Sequence, residues 1–319
     1  MSRLPPRATV SAFIEILGHK VQINAASNPL METVMRLYPA NNGEELRAVD
    51  NQITGEVPIL SLYHLHSPSS APDRPPRFAL ESGTLLGSSG QSRFIAERPK
   101  MQGRAWLCEQ MLACPYLLRH QVINSLIYFL LSYQRLTPLH CCAFDINGHT
   151  LLCLGASGAG KSTLAMQAYR QGGDILAEDI AFVDLHQGKP TLRGDCREIH
   201  LLSDARRHFP WLNPAKIATS HNGKSKYLVP VSAERKIASS ENFTIVFIEA
   251  RHKKQQSNLR INNDKKRYEM LIKPAEPGFS LACQTRAKHL EVLKHQPSYV
   301  LEPGCRPDRA FETLASLCR

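Results

Sequence analysis

Hydrophobic and polar positions alternate over residues 9–25, where Phe13, Ile14 and Ile16 precede a Gly18-His19 turn and Val21 and Ile23 follow it, so a β-hairpin is predicted. Helical spacing takes over at 28–38: Asn28 is read as the cap, Pro29 takes the first turn, and Leu30, Val34 and Leu37 share one face. Strand-like runs return at 56–66 and, beyond a Pro- and Ser-rich loop over 67–77, at 78–86. At 108–136 the period becomes helical again, restarting at Pro115, with Met111, Leu117, Leu118, Val122, Leu126, Phe129 and Leu130 forming a broad apolar surface. Runs at 136–146 and 150–154 flank Asn147-Gly148, the pair favoured in a two-residue hairpin, which would set His140 on the strand beside 150–154. Strands are further expected at 174–184, interrupted by Glu178 and Asp179, from Glu198 onward, at 226–230, and as a last pair at 243–250 and 268–272; an amphipathic helix spans 307–317. The pattern divides the chain into a smaller N-terminal α+β domain of unassigned role (1–110), a connecting helix (111–135) and an α/β domain (136–319).

The candidate chemistry sits where the run Leu151–Leu154 meets Gly155-Ala156-Ser157-Gly158-Ala159-Gly160-Lys161-Ser162-Thr163. Gly155, Gly160, Lys161 and Ser162 fit the spacing G-x-x-x-x-G-K-[ST]. Glycines let successive N–H groups turn toward one point, where phosphate oxygens can sit at a helix N-terminus. In that arrangement Lys161 reaches the β- and γ-phosphates of ATP, and the Ser162 hydroxyl ligates Mg²⁺. A helix over 163–171, stopping at Gly172-Gly173, completes the strand–loop–helix context. Asp179 follows Ser162 by only 17 residues (179 − 162), so one helix and one turn return the chain to the metal.

His140 before the loop, the loop Gly155 to Ser162, and the carboxylate pair Glu178-Asp179 after the next helix occur in the order of a known family. Over residues 136–230 the chain resembles HPr kinase/phosphorylase and related serine kinases with a phosphoenolpyruvate-carboxykinase-like nucleotide core. The resemblance implies a P-loop kinase core with a mixed β-sheet. It also implies ATP and Mg²⁺ as cofactors, Asp179 as acceptor of the attacking hydroxyl's proton, Glu178 supporting it or the metal, and His140 near the transferring phosphoryl group. Thr163 stands where HPr kinase itself usually carries Glu, and the first carboxylate is Glu178 rather than Asp, which aligns the chain with the divergent relatives. A homo-oligomer is implied by the same analogy.

Composition narrows the partners. Net charge is +11, from 39 Lys+Arg against 28 Asp+Glu, which suits anionic ligands. The basic runs at 251–254 and 265–267 lack interleaved aromatics, which disfavours nucleic acid and favours a solvated hairpin tip or a dock for an acidic protein. No apolar run is long enough to span a membrane, the N-terminal residues lack a cleavage-site pattern, and nine cysteines show no C-x-x-C spacing. A cytoplasmic protein with reduced thiols is the expectation. Glu198 is a candidate further metal carboxylate, with an exposed strand charge as the alternative, and Lys224 and Lys226 are candidates for phosphate contact. His64 and His66 share a strand face, but with no carboxylate or Cys at ligand spacing a metal pair there is disfavoured. These readings leave three functions open: a kinase for Ser on a peptide or small protein, a small-molecule kinase acting on a substrate such as free serine, and a non-catalytic nucleotide switch or ATPase.

Overall fold

The computed structural model describes residues 10–38, 57–66, 76–132, 136–213, 217–219, 225–249, 256–272 and 284–318. These fall into two compact units, the first formed by residues up to 132 and the second by those from 136 onward. Both mix helices with sheets of parallel and antiparallel strands, so the fold class is mixed α/β.

In the first unit, β1 (Val10–Ile16) and β2 (His19–Ala25) form the expected hairpin. Helix α1 (Asn28–Leu37) buries Leu30, Met31 and Val34; its cap is Ser27, whose hydroxyl accepts from the Leu30 N–H at 3.4 Å, one residue earlier than predicted. Strand β3 (Ile59–Leu65) follows in parallel to β2. The run at 78–86 is two strands rather than one: β4 (Arg77–Glu81) and β5 (Thr84–Ser89) turn at Ser82-Gly83, both with positive φ. With β6 (Ser92–Glu97) and β7 (Gln102–Cys108) they complete a sheet of order β1-β2-β3-β7-β6-β5-β4, in which β3 and β7 are parallel. A short α2 (Glu109–Leu112), a π-helical stretch over Leu117–Ile123 and α3 (Asn124–Leu131) follow, and α3 packs on β6 and β7.

The second unit corrects two single-strand expectations. The run 136–146 breaks at Cys141 into β8 (Thr137–His140) and β9 (Cys142–Ile146), and only β9 pairs with β10 (His149–Gly155). After α4 (Lys161–Arg170), the run 174–184 breaks at Glu178-Asp179 into β11 (Asp174–Ala177) and β12 (Ile180–His186). β11 pairs with β9, while β12 pairs with β8 and β13 (Lys189–Arg193). At both breaks, therefore, the chain crosses from one sheet to another. The hairpin neighbour of β10 is β9 alone, so His140 does not lie beside the strand that feeds the loop; it ends β8 opposite Ile180.

Further on, β14 (Glu198–Leu202), β15 (Ile217–Thr219) and β16 (Ser225–Pro230) form a three-stranded sheet, and β17 (Ser239–Ser240) edges β13. Strand β18 (Phe243–Ile248) lies parallel to β10, but its expected partner at 268–272 is helical. The buried residues there, Tyr268 and Leu271, are three apart, the spacing of a helix face rather than of a strand. The polar connection before it contains β19 (Asn258–Ile261), and the helical stretch ends in α5 (Glu269–Ile272). After α6 (Gln284–Leu293), β20 (Ser298–Glu302) takes the place beside β18, and α7 (Pro307–Ala315) ends the fold. The sheet order is β11-β9-β10-β18-β20-β19. Both its faces are buried: Leu151 and Cys153 point into a core shared with Leu164, Ala168, Phe311 and Leu314, and Leu152 and Leu154 into one shared with Leu139, Val183, Leu271 and Leu293. That is why β10 and β18 read as continuous apolar runs. Among the described residues, no helix is long and apolar enough to cross a membrane.

Candidate functional site

Strand β10 ends at Gly155, where a side chain would be tight: a Cβ would meet the Cβ of Ala159 at 3.0 Å and the carbonyl oxygen of Ile248 at 3.1 Å. The chain then turns with Gly158 at φ 83° and Gly160 at φ 101°, and Gly160 caps α4 in the left-handed conformation. Ala156, Ser157 and Gly158 face solvent, and the Ala159 N–H closes the turn on the Ala156 carbonyl at 3.1 Å. Lys161 is buried, its Nζ donating to the carbonyls of Gly155 at 2.8 Å and Ala156 at 3.3 Å. The Cys142 thiol donates to the Lys161 carbonyl at 3.2 Å, tying the first turn of α4 to β9. Ser162 and Thr163 lie half-buried in that same turn.

The two sheet crossovers bring the remaining groups to this turn. Ser162 donates to Glu178 Oε1 at 2.5 Å, so the loop's hydroxyl meets the first carboxylate of the pair. The pairing of Ile180 with His140 sets Asp179 beside the histidine: Asp179 Oδ1 is 3.4 Å from His140 Nδ1, and the Cys141 N–H donates to the Asp179 carbonyl at 3.0 Å. Glu198 Oε2 lies 3.7 Å from His200 Nε2, while His200 Nδ1 lies 3.4 Å from Glu178 Oε2. His200, which the sequence pattern does not single out, thus links Glu198 to the acidic pair. Its one signal is the i, i+2 spacing from Glu198 along β14, which puts both side chains on one face. Lys226, on β16, is near enough to act electrostatically on both Glu178 and His140; Lys224 lies outside the described residues.

The electrostatics differ across the pair. Glu178, only 8 % exposed, has its pKa raised, first by burial and further by Asp179, against the opposing pull of His200, the Ser162 hydroxyl and Lys226. Burial, with Lys161 and Lys226, holds the His140 imidazole below its ordinary value, and Asp179 opposes the shift. Burial pushes the Cys141 and Cys142 thiols up, so neither is a nucleophile at neutral pH.

The oxygen donors Ser162 and Glu178, with Asp179 adjacent, are the hard ligand set that Mg²⁺ takes. A buried carboxylate with a raised pKa gains from a cation, which is an independent sign of fit. Ala156, Ser157 and Gly158 lie exposed just before the N-terminus of α4, an end that favours an anion.

No known protein family and no curated protein matches this sequence. Among solved structures it is similar to the Hpr(Ser) kinase/phosphatase from Coxiella burnetii, at 13% identity and a TM-score of 0.24, covering 35% of this chain. The chain spans 58% of the length of that protein. A likeness this faint carries no argument about activity, which rests on the geometry above.

Proposed function

We propose that the second unit is a nucleotide-dependent phosphotransferase of the HPr kinase-like kind, transferring the γ-phosphoryl group of ATP to a hydroxyl, with Ser of a peptide or small protein as the acceptor. The observation that carries this reading is the contact of Ser162, in the glycine-loop helix, with Glu178, while Asp179 stands next to it against His140. A phosphate cradle and an acidic pair that meet at one turn are the parts phosphoryl transfer requires, since its catalysis is positioning and charge neutralisation.

Lys161 exchanges the carbonyls of Gly155 and Ala156 for the phosphates. Ser162 and Glu178 hold Mg²⁺, and Lys226 adds positive charge on the side of Glu178 and His140. Bound Mg²⁺ supplies neutralisation of the phosphate charge. Asp179, half exposed, orients the acceptor hydroxyl and takes its proton, and neutral His140 fixes the carboxylate's orientation. Glu198, through His200, supports Glu178 rather than the metal. The order of His140, loop and carboxylate pair, which resembles HPr kinase and its relatives, supports the same assignment.

The test incubates the full chain with γ-labelled ATP and Mg²⁺ plus a panel of Ser-containing peptides, free serine, or no acceptor. Label on a peptide supports the proposal, label on serine reassigns it to a small-molecule kinase, and phosphate release alone makes it an ATPase or switch. Asp179→Asn is expected to lose transfer by at least about 100-fold with nucleotide affinity nearly unchanged; retained transfer removes Asp179 from its role.

A further inference from the structure

Away from the glycine loop, β3 and the β7–α2 junction of the first unit bring together three side chains that the sequence holds far apart. The parallel register pairs His64 with Leu107 and Leu65 with Cys108, so the next step along both strands sets His66 at the level of Glu109. His64 and His66, two residues apart, project from the same face of β3. Their rings stand 4.2 Å apart between centroids, tilted by 52°. One ligand atom each from His64, His66 and Glu109 lie within 4.8 Å of one another. Sequence spacing offers the two histidines no carboxylate; the fold brings one from the first residue of α2, just past the end of β7.

We propose that His64, His66 and Glu109 form a binding site for a divalent transition-metal ion such as Zn²⁺. Two borderline imidazoles beside one carboxylate take Zn²⁺, Co²⁺ or Fe²⁺ in preference to Mg²⁺ or Ca²⁺, and three protein ligands leave at least one position to water. Ligands about 2.0–2.1 Å from a tetrahedral ion sit about 3.3 Å apart, so the group closes by about 1.5 Å at most. His66 and Glu109 are exposed and make that adjustment by side-chain rotation, while His64 is anchored within the strand. A second observation points to a ligand: Nε2 of His64 is buried and has no hydrogen-bond partner among the described residues. A buried imidazole nitrogen without a partner costs free energy that a metal ion bound at that atom would offset.

The test uses the untagged full chain, stripped with EDTA and dialysed, then titrated with Zn²⁺ by calorimetry and with Co²⁺ by visible absorption, with Mg²⁺ present in excess throughout. The wild type is expected to bind one more equivalent than His64→Ala/His66→Ala, and to show Co²⁺ d–d bands that the double variant lacks. His66→Ala and Glu109→Gln should each weaken that site by at least about tenfold. Both replace exposed side chains, so their metal-free melting temperatures should equal the wild type's, while Zn²⁺ should raise the wild type's more than theirs. Equal stoichiometry and affinity in wild type and variants would assign the metal to exposed thiols such as Cys114 or Cys305 and overturn the proposal. Absence of saturable binding by the wild type would do so as well.

Discussion

Replacing Glu178 by Gln should stabilise the ligand-free protein, and by an amount that grows with pH. The carboxyl is 8 % exposed, next to Asp179, and its pKa is raised on folding from an ordinary 4.5. Such a group is at its least costly below the unfolded value, where both states are protonated. As pH rises, the unfolded chain ionises first and the folded state loses ground until pH passes the folded pKa, after which the difference is constant. Each pH unit within that window is worth about 1.4 kcal/mol, or roughly 3–6 °C in melting temperature for a unit of this size. Gln keeps an acceptor oxygen for the Ser162 hydroxyl, so the 2.5 Å hydrogen bond survives while the charge does not. Calorimetric melting of wild type and variant in EDTA, from pH 4 to pH 8.5, should show a melting difference that climbs and then levels. The pH of levelling reads the folded pKa of the carboxyl. A difference that is flat across the range, or that moves in favour of the wild type as pH rises, would show that Ser162, His200 and Lys226 outweigh burial, and the reasoning would fail.

Lys161→Met should weaken ATP binding by at least about tenfold, equivalent to about 1.4 kcal/mol, measured with a fluorescent nucleotide; unchanged affinity would separate Lys161 from the phosphates. Gly155→Ala forces a Cβ against the Ile248 carbonyl and the Ala159 Cβ, and should cost about 1–3 kcal/mol in denaturant unfolding. Because that strain falls where β10 meets the loop, nucleotide affinity should drop with it; an unaltered unfolding midpoint would mean that β10 and β18 yield without cost.

Local pattern carries the elements whose partners are near in sequence. The hairpin of β1 and β2, the Asn147-Gly148 turn with both residues at positive φ, and the strand, loop and helix around Lys161 each need only neighbouring residues to form. What pattern does not show is where a strand changes sheets. Residues 136–146 and 174–184 are each apolar enough to be one strand, and nothing in their own composition requires β8 and β12 to leave β9 and β11. Strand β20 escapes the pattern because Ser298 and Glu302 frame only three apolar residues, and its burial comes from β18 alongside. Glu109 goes unnoticed beside His64 and His66 for the same reason: strand register, not spacing, brings it there.

Those sheet changes also explain how two adjacent carboxylates come to have different surroundings. Glu178 and Asp179 lie between β11 and β12 rather than within either strand, and successive side chains of an extended chain point in opposite directions. Glu178 therefore turns inward to Ser162 and His200, at 8 % exposure, while Asp179 turns outward beside His140, at 50 % exposure. On the proposed reading this divides the labour: the inward carboxylate is placed for a cation held with Ser162, and the outward one for a hydroxyl arriving from solvent. The division does not depend on the identities Glu and Asp. It depends on the chain passing between sheets at that dipeptide, next to the break at Cys141 that delivers His140, so the site is a product of the topology as much as of the motif.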